Sequence, residues 1–266
     1  MEKIVQRDDK KIFIVMEFCE NGDMAQLIKK CKAEKDFVAE DVIWKIFMQI
    51  LLALRECHTR AIQGSKILHR DLKPSNVFFD QNNNVKLGDF GLSRIIKCDS
   101  TDPQEEFAHT NVGTPYYMSP EQIKENQYDE KTDIWSTGCV IYELVSLYPP
   151  FTAGNHYNLG QKILAGKIER IPQRYSEDLQ EVIQQMLNVD PEKRPSVESL
   201  IKLPKIKLRI NERKMRDQYA KLKYKEQKID KRAQELKFKS QEIKAREKAI
   251  AEKHMKVKDL YNKQVL

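Results

Sequence analysis

The octapeptide His69-Arg-Asp-Leu-Lys-Pro-Ser-Asn76 decides the fold of this sequence. Asp89-Phe-Gly91 begins thirteen residues after Asn76, and Ser119-Pro-Glu121 closes the segment. Taken one at a time, the polar residues could simply cap turns, and any triplet could arise by chance. The complete octapeptide, in order with both companions, could hardly do so. It indicates a shared chemical role for two carboxylates, an amide and an ammonium group.

Charge divides the 266 residues into two parts, which predicts a medium-sized domain with an appendage. The net charge is +7, yet residues 205–266 alone hold 21 basic and 9 acidic side chains. Residues 1–204 are slightly acidic, with 26 basic and 31 acidic side chains. The basic tail could suit an acidic surface such as microtubules or RNA, but its bases are interleaved with acids. A solvated helix face is therefore favoured, and nucleic acid is not an expected partner.

Several protein classes are excluded by composition. A membrane span needs about 18 apolar residues, and the best run, 43–54, is interrupted by Lys45 and Gln49. The N-terminus has no signal-peptide apolar core, so no membrane association is expected. The cysteines contain no CxxC pair, which favours reduced thiols in an intracellular protein, each of them a small buried hydrophobe: Cys19, Cys31, Cys57, Cys98 and Cys139.

Hydrophobic periodicity predicts an α+β fold that is mainly helical. Ile12–Phe18 is a β-prone run, and further strand pieces are predicted at 67–69, 76–79 and 84–87. Apolar residues at helical spacing predict helices over 23–30, 39–58, 133–147 and 179–187. The second helix is expected to bury one face: Val42, Ile43, Ile46, Phe47, Ile50, Leu51 and Leu54. Lys3, Lys10 and Lys11 lie in charged segments that we expect to form turns.

The last 62 residues contain neither Gly nor Pro and repeat with a period of seven. Apolar residues occupy every seventh position: Leu208, Met215, Leu222, Ile229, Leu236, Ile243, Ile250 and Val257. Such a repeat predicts one line of a coiled-coil seam. The line four residues on is only half apolar, so the seam should pair weakly or with selected partners: Glu212, Tyr219, Glu226, Ala233, Ser240, Glu247, His254 and Tyr261. The alternative is a lone solvated helix with an exposed apolar stripe.

With these motifs the sequence resembles the eukaryotic protein kinases. Gly113–Glu121 and the extended stretch Cys57–Gly64 before the octapeptide resemble the NIMA-related (Nek) kinases, in particular the centrosomal branch with a zipper-like tail. The resemblance covers nearly the whole chain. It implies a protein-kinase-like fold with a remnant of the N-terminal lobe and hinge strand at 1–18, the helical C-terminal lobe at 19–204, and a coiled-coil tail at 205–266.

The resemblance implies ATP-dependent transfer of a phosphoryl group to Ser or Thr hydroxyls of protein substrates. This chemistry mainly needs positioning and neutralisation of negative charge. Asp71 would orient the substrate hydroxyl, and Lys73 would offset charge on the γ-phosphate. Asn76 and Asp89 would hold Mg²⁺, a hard ion that prefers oxygen ligands.

The resemblance also implies the nucleotide site. Adenine would be recognised by main-chain groups of Glu17 and Cys19, so their side chains could vary. Met16 corresponds to the gatekeeper and Phe78 to the residue beneath the adenine ring, although both could equally be core residues. Gly88, directly before the Asp89-Phe-Gly91 motif, is included among the nucleotide-binding positions.

Two further groups of residues follow from the resemblance. In the activation segment, 92–118, Thr110 aligns with the usual phosphorylation site, while Thr114 would contact Asp71 and Lys73. A phosphate there would pair with Arg70, because a guanidinium binds phosphate through two parallel hydrogen bonds. The remaining matches have structural roles in the family. Glu121 and Arg194 would form a buried ion pair, and Asp133 would hold the backbone of the catalytic loop. The full set is His69, Arg70, Phe90, Gly91, Glu121, Asp133 and Arg194.

Residues 1–18 contain no G-x-G-x-x-G and no Val-Ala-x-Lys strand. We expect Met1 to fall just before the fourth strand of the kinase upper lobe, which would leave the strand Ile12–Phe18 with an unpaired edge. Three interpretations stay open: part of a complete Nek kinase, a short form that acts as a coiled-coil interaction protein and impairs dimers of its relative, or a nucleotide-independent scaffold. The kinase interpretation is preferred because every catalytic-loop residue is present.

The expected partners and location follow from the tail and the resemblance. Residues 205–266 should form a parallel homodimer in which the two lobes phosphorylate each other at Thr110. The family resemblance implies microtubule, centrosome or basal-body proteins as further partners. It also implies a cytoplasmic protein, at the centrosome, basal body or cilium, or in the nucleus.

Overall fold

The computed structural model describes residues 3–8, 11–59, 65–90, 93–97, 115–124 and 129–264. The chain divides into two compact units, Met1–Arg209 and Ile210–Leu266. The first unit is mixed and mostly helical, which confirms the predicted α+β class. The domain boundaries at 18 and 204 stay predictions.

The first unit begins with an antiparallel pair of strands, β1 (Lys3–Asp8) and β2 (Lys11–Val15). The pairing runs from Lys3 opposite Val15 to Asp8 opposite Lys11. The expectation of turns around Lys3 and Lys11 was therefore wrong, because pairing satisfies their backbone groups whatever their charge. Lys10 lies outside the described residues. Strand β2 ends at Val15 rather than Phe18, and one of its edges is covered by β1.

Helices α1 (Met24–Glu34) and α2 (Glu40–Thr59) follow the strand pair. The carboxylate of Asp23 caps α1 by accepting the N–H of Gln26, and Lys35 ends the helix in the left-handed conformation, with φ of 53°. Helix α2 buries the expected face except at Val42, which is 45% exposed. Val42 lies in the first turn, so its helical phase did not guarantee burial.

Short strands frame the catalytic octapeptide. Strand β3 (Ser65–Leu68) pairs antiparallel with β6 (Arg94–Lys97), and β4 (Val77–Phe79) pairs antiparallel with β5 (Val85–Leu87). A 3₁₀ turn at Pro74–Asn76 leads directly into β4. The two pairs place the octapeptide and the residues after Leu87 on adjacent loops.

The remaining helices of this unit form the core of the lobe. Helix α4 (Glu130–Ser146) is buried along almost its whole length, and the rings of Trp135 and Phe151 stack with centroids 5.6 Å apart. Four short helices complete the lobe, and each has a Ser or Asn side chain as its N-cap: α3 (Pro120–Ile123), α5 (His156–Ala165), α6 (Glu177–Met186) and α7 (Val197–Ile201). Of these, α6 packs against α4, α7 packs against α2, and α3 packs against α5.

Helix α8 (Pro204–Gln264) begins in the first unit and makes up the described part of the second. Within the second unit, the apolar residues of the seven-residue repeat are 56–69% exposed, from Met215 to Val257. A continuous helix agrees with the absence of Gly and Pro, whereas coiled-coil pairing stays a prediction. Among the described residues, no helix has both the length and the apolar character of a membrane span.

Candidate active site

Two side chains of the octapeptide, Lys73 and Asn76, converge on the carboxylate of a third, Asp71. Asp71 Oδ2 accepts hydrogen bonds from Lys73 Nζ at 2.7 Å and from Asn76 Nδ2 at 3.2 Å. The same amide nitrogen donates to the main-chain oxygen of Asp71 at 2.8 Å. Asn76 is buried, while the side chains of Asp71 and Lys73 stay 23% and 36% exposed. The carboxylate is thus held in a fixed direction and open to a substrate.

The backbone of this loop is held by a carboxylate from the core. Asp133, at the start of α4, accepts the N–H groups of His69 at 3.1 Å and Arg70 at 3.0 Å. Arg70 has φ of 67°, a left-handed conformation that costs a non-glycine residue about 1–2 kcal/mol. Because that strain lies next to Asp71, the two hydrogen bonds stabilise the conformation that presents its side chain.

A second set of contacts joins this loop to the residues after β5. The N–H of Gly88 donates to the carbonyl of Asn76 at 3.0 Å, and His69 Nε2 donates to the carbonyl of Gly88, also at 3.0 Å. The His69 ring contacts the Phe90 ring, with centroids 4.8 Å apart. Asp89, between these residues, also has a left-handed backbone, with φ of 56°. The structure therefore brings His69, Asn76, Gly88, Asp89 and Phe90 together.

The donor set here suits a magnesium ion that also binds phosphate. Asn76 turns its amide nitrogen toward Asp71, and its side-chain oxygen accepts no hydrogen bond from the described residues. The described residues contain no cluster of three or more His, Cys, Asp or Glu side chains that could hold a metal. Magnesium commonly binds through one or two side-chain oxygens plus substrate phosphates, so one amide and one carboxylate are the expected ligands.

The predicted nucleotide-binding residues lie in two places. Met16, Glu17 and Cys19 are in the segment between β2 and α1, while Phe78 is in β4 and Gly88 directly follows β5. Met16 is 67% exposed, so its alternative assignment as a core residue was wrong. Glu17 forms an ion pair with Lys86 at 3.1 Å, and burial raises the pKa of the half-buried Cys19 thiol. A Cβ added to Gly88 would lie 2.7 Å from Phe78 Cε2, so the glycine lets the chain pass directly against that ring.

Glu121 and Arg194 form a buried ion pair away from the cleft. The guanidinium donates to both carboxylate oxygens of Glu121, each at 2.7 Å, and its side chain is fully buried. Burial alone would raise the pKa of Glu121, but the hydrogen bonds and charge of Arg194 hold it below its usual value. The Arg194 guanidinium also lies over the Trp135 ring at 5.0 Å. These contacts brace the lobe and touch no candidate catalytic atom.

Three predicted positions, Gly91, Thr110 and Thr114, lie outside the described residues. Near the end of the activation segment, Tyr117 Oη donates to Glu143 Oε2 at 2.7 Å. Burial raises the pKa of the Glu143 carboxyl. This pair links the end of the activation segment to α4.

The sequence did not reveal several supporting residues. Buried His58, at the end of α2, contacts Asp133 Oδ2 through Nε2 at 2.8 Å. Glu40, at the start of α2, accepts hydrogen bonds from Trp44 and Ser176 and forms an ion pair with Lys205. His58 looked like one more polar residue at a helix end, and Glu40 like an ordinary first-turn acid. Apart from Trp44, which lies four residues from Glu40, their partners are distant in sequence, so no local pattern could have identified these contacts.

The comparisons with known proteins agree with this geometry. A family profile described as the protein kinase domain matches residues 2–205. The chain belongs to the protein kinase family. Among the relatives of this kinase chain are the probable serine/threonine-protein kinase nek2 of Dictyostelium discoideum, 47% identical over 218 residues, and Nek2 of Homo sapiens, 50% identical over 205 residues. These alignments cover 82% and 77% of this chain.

The relatives place the chain in the NIMA-related (Nek) branch of serine/threonine protein kinases. A third relative is the G2-specific protein kinase nimA of Emericella nidulans, 39% identical over 219 residues, an alignment that covers 74% of this chain and 30% of nimA. The two nek2 relatives are covered over 50% and 45% of their own lengths. The chain therefore spans about half the length of these two kinases. Kinases of this family act on proteins and in general use ATP with a divalent metal.

Proposed function

We propose that this kinase chain transfers the γ-phosphoryl group of ATP to Ser or Thr hydroxyls of proteins, with Asp71 as the residue that orients the attacking hydroxyl. The proposal rests on one observation: Lys73 and Asn76 each donate a hydrogen bond to the Asp71 carboxylate. A carboxylate fixed in this way can accept a hydrogen bond from an incoming alcohol without reorganising.

Lys73 has a second role in this proposal. Its ammonium group lies 2.7 Å from Asp71 Oδ2, so it can hold that carboxylate and approach the transferred phosphoryl group from the same side. A positive charge there offsets the negative charge that spreads over the phosphoryl oxygens during transfer. In the family, Lys at this position marks Ser/Thr rather than Tyr kinases.

Asn76 and Asp89 would hold the magnesium ion through their side-chain oxygens. When bound, Mg²⁺ neutralises phosphate charge and orients the γ-phosphoryl group for in-line attack. The Gly88 N–H bond to the Asn76 carbonyl ties the two ligand-bearing loops together. Main-chain groups of Glu17 and Cys19 would receive the adenine, with Met16 as the gatekeeper, Phe78 beneath the adenine ring and Gly88 as a further nucleotide-binding position.

Activation would follow from phosphate on Thr110, with Arg70 as its partner and Thr114 as a hydroxyl that contacts Asp71 and Lys73. Arg70 is adjacent to Asp71, so a phosphate paired with its guanidinium would stabilise the loop backbone that Asp133 already holds. Phosphorylation therefore acts on the position of the catalytic carboxylate rather than on the chemistry itself.

The test compares Asp71→Asn with the unaltered chain in phosphorylation of a generic Ser/Thr substrate with Mg²⁺ and ATP. We expect incorporated phosphate to fall by at least 100-fold, the scale of a positioned acid–base group. Asp129→Asn is a matched control, because Asn caps a helix as well as Asp does. Equal incorporation by Asp71→Asn would refute the proposal. Calorimetry should show that Asp71→Asn keeps Mg²⁺·ATP binding while Asp89→Ala loses it.

A second candidate function is favoured by the exposed repeat on α8. Residues 205–266 would form a parallel coiled-coil homodimer, and the chain would then act as an interaction protein that impairs dimers of its relative. Leu222→Pro or Ile229→Pro should halve the mass measured by light scattering. The mass of the native protein on a gel separates the two candidates, since a band well above 31.3 kDa supports the kinase and a band at that mass supports the interaction protein.

The proposed setting is cell division. Three fungal relatives carry the name G2-specific protein kinase: nim-1 of Neurospora crassa, nimA of Emericella nidulans and fin1 of Schizosaccharomyces pombe. We infer a cell-cycle role for this chain, with microtubule, centrosome or basal-body proteins as partners and a location in the cytoplasm, at the centrosome, basal body or cilium, or in the nucleus. Fluorescence microscopy of the tagged protein through the cell cycle tests this location, and a uniform signal at every stage would contradict it.

A further inference from the structure

Positive charge on the tail helix α8 is concentrated beside its apolar stripe. In heptad terms, the apolar residues of the seven-residue repeat occupy position d, and the line four residues on occupies position a. Positions e and g, the residue after each d and the residue before each a, flank this seam on its two sides. Between 211 and 257 the thirteen flanking residues include one acid, Asp230, and nine bases: Arg216, Lys223, Lys225, Arg232, Lys237, Lys239, Lys244, Arg246 and Lys253.

The outward positions of the same helix are more evenly charged. Positions b, c and f between 211 and 257 hold seven basic and four acidic residues. One flanking base, Arg246, forms an ion pair within the helix, with Glu242 at 2.8 Å, and both side chains of this pair stay exposed. The apolar residues between the flanks are exposed as well, from Met215 to Val257. The seam is therefore an apolar stripe between two basic borders, a pattern that fits a helical partner with acidic borders.

A second copy of this chain fits these borders poorly. In a parallel pair of helices, each g residue meets the e residue five positions on in the partner. Self-pairing would join Lys225 with Asp230, which attract each other. Three other pairs, each formed twice in a symmetric dimer, would join two bases: Arg232 with Lys237, Lys239 with Lys244, and Lys253 with Lys258. An antiparallel pair would join g with g and e with e, which are mostly basic too, so reversing the direction does not relieve the repulsion.

Position a adds a second disadvantage for a second copy. Glu226 and Glu247 occupy this position, where the residues of a parallel dimer meet their own copies. Two carboxylates would then face each other at the centre of the seam, where like charges are costly because water is partly excluded. A partner with Lys, Arg or a small residue opposite these positions avoids that cost.

We propose that the seam of α8 binds a helix of another protein whose e and g positions are mostly Asp or Glu, in preference to a second copy of this chain. The partner helix has apolar residues at its own d positions, as the exposed stripe requires. Without such a helix a second copy can occupy the seam, so the homodimer described above is the weaker of the two pairings. The inference goes beyond the proposed function, because neither ATP nor Asp71 takes part in the binding.

The experiment follows two fluorescein-labelled peptides by anisotropy as the full chain is added. The self peptide copies residues 215–257. The acidic peptide differs in Glu226→Lys, Glu247→Lys and the replacement by Glu of every flanking base except Lys225, which already faces Asp230. We expect the acidic peptide to bind at least tenfold more tightly at about 0.1 M salt, and this advantage to shrink at about 1 M salt, where surface charges are screened. Equal affinity of the two peptides, or an advantage that is unchanged at the higher salt, would overturn the proposal.

A matched pair of chain variants shows whether the seam carries the binding. Leu236 and Phe238 are similarly exposed, at 62% and 70%, but they lie on opposite sides of the helix, at positions d and f. Leu236→Gln should weaken the acidic peptide tenfold or more, whereas Phe238→Gln should bind it as the unaltered chain does. Equal loss in both variants would contradict binding through the seam. An acidic peptide with Gln at every d position should not bind; if it binds equally well, α8 is a general surface for acidic polymers such as nucleic acid, and the proposal fails.

A charge reversal at one border should act in opposite directions on the two peptides. In the chain variant Lys239→Glu, the new carboxylate would face Lys244 of the self peptide but a Glu of the acidic peptide. The self peptide should therefore bind several-fold more tightly and the acidic peptide several-fold more weakly. Lys231→Glu, at the outward position f, changes the net charge equally and should leave the ratio of the two affinities unchanged. If Lys239→Glu shifts both affinities in the same direction, the assignment of position 239 to the border of the seam is wrong.

Discussion

Replacing Arg194 with leucine should strongly destabilise the kinase lobe. The guanidinium donates to both carboxylate oxygens of Glu121, at 2.7 Å each, and also to the carbonyls of Asn188, Lys131 and Val189. In Arg194→Leu the carboxylate of Glu121 would remain buried, with the Thr132 hydroxyl as its hydrogen-bond partner at 2.9 Å. Leaving one member of a buried ion pair uncompensated costs about 3–5 kcal/mol.

Urea unfolding of the full chain measures this loss. With a slope of about 2–3 kcal/mol per molar urea, the expected midpoint shift is about 1–2 M. The double variant Glu121→Leu/Arg194→Leu should lose much less than the sum of the two single variants, because it removes both charges. A single-variant loss below about 1 kcal/mol, or simple additivity in the double variant, would refute the reasoning.

The pH dependence gives an independent check on the same pair. In the unaltered chain the pKa of Glu121 is lowered, so its stabilisation is present above the unfolded value of 4.5 and is lost as pH falls below it. In Arg194→Leu, burial without the guanidinium should raise that pKa. The variant should then lose further stability as pH rises through the raised value, opposite in sign to the unaltered chain.

Three other changes test separate parts of the structure. Gly88→Ala should weaken Mg²⁺·ATP binding measured by calorimetry, because the new methyl group lies 2.7 Å from the Phe78 ring; Phe78→Leu should restore part of the loss, and normal binding by Gly88→Ala would contradict the packing. Glu40→Gln should cost about 1–3 kcal/mol in urea unfolding at pH 7, with the difference from the unaltered chain fading as pH falls from 4.5 to about 2, and a pH-independent difference would contradict the Ser176 and Lys205 contacts. His58→Leu should lower kcat more than it raises the KM for ATP, because its contact with Asp133 supports the catalytic loop, and equal changes in both constants would argue against this role.

The sequence predicted those parts of the fold that depend on local pattern. The helical spacing of apolar residues predicted α2 and α4 nearly to their ends, since a buried stripe recurs at fixed intervals whatever the helix packs against. The octapeptide predicted the loop in which Asp71, Lys73 and Asn76 meet, because a short motif with fixed spacing largely determines its own geometry.

What the sequence could not predict depends on contacts between distant residues. Strand β1 has no clear apolar alternation, and it exists because Lys3–Asp8 satisfies the backbone of β2. Val42 has the right helical phase but lies at the exposed end of its helix. His58 and Asp133 are separated by 75 positions, and only the folded lobe brings them to 2.8 Å.

The carboxylate of Asp133 has a consequence for how the catalytic loop exchanges its protons with solvent. Loop amides normally exchange within seconds to minutes, whereas those of His69 and Arg70 donate to a group that is 1% exposed on the most buried helix of the lobe. In heavy water these two amides should be among the last to take up deuterium, together with those of α4. Their exchange would then report global opening of the lobe from within a segment that has no secondary structure of its own.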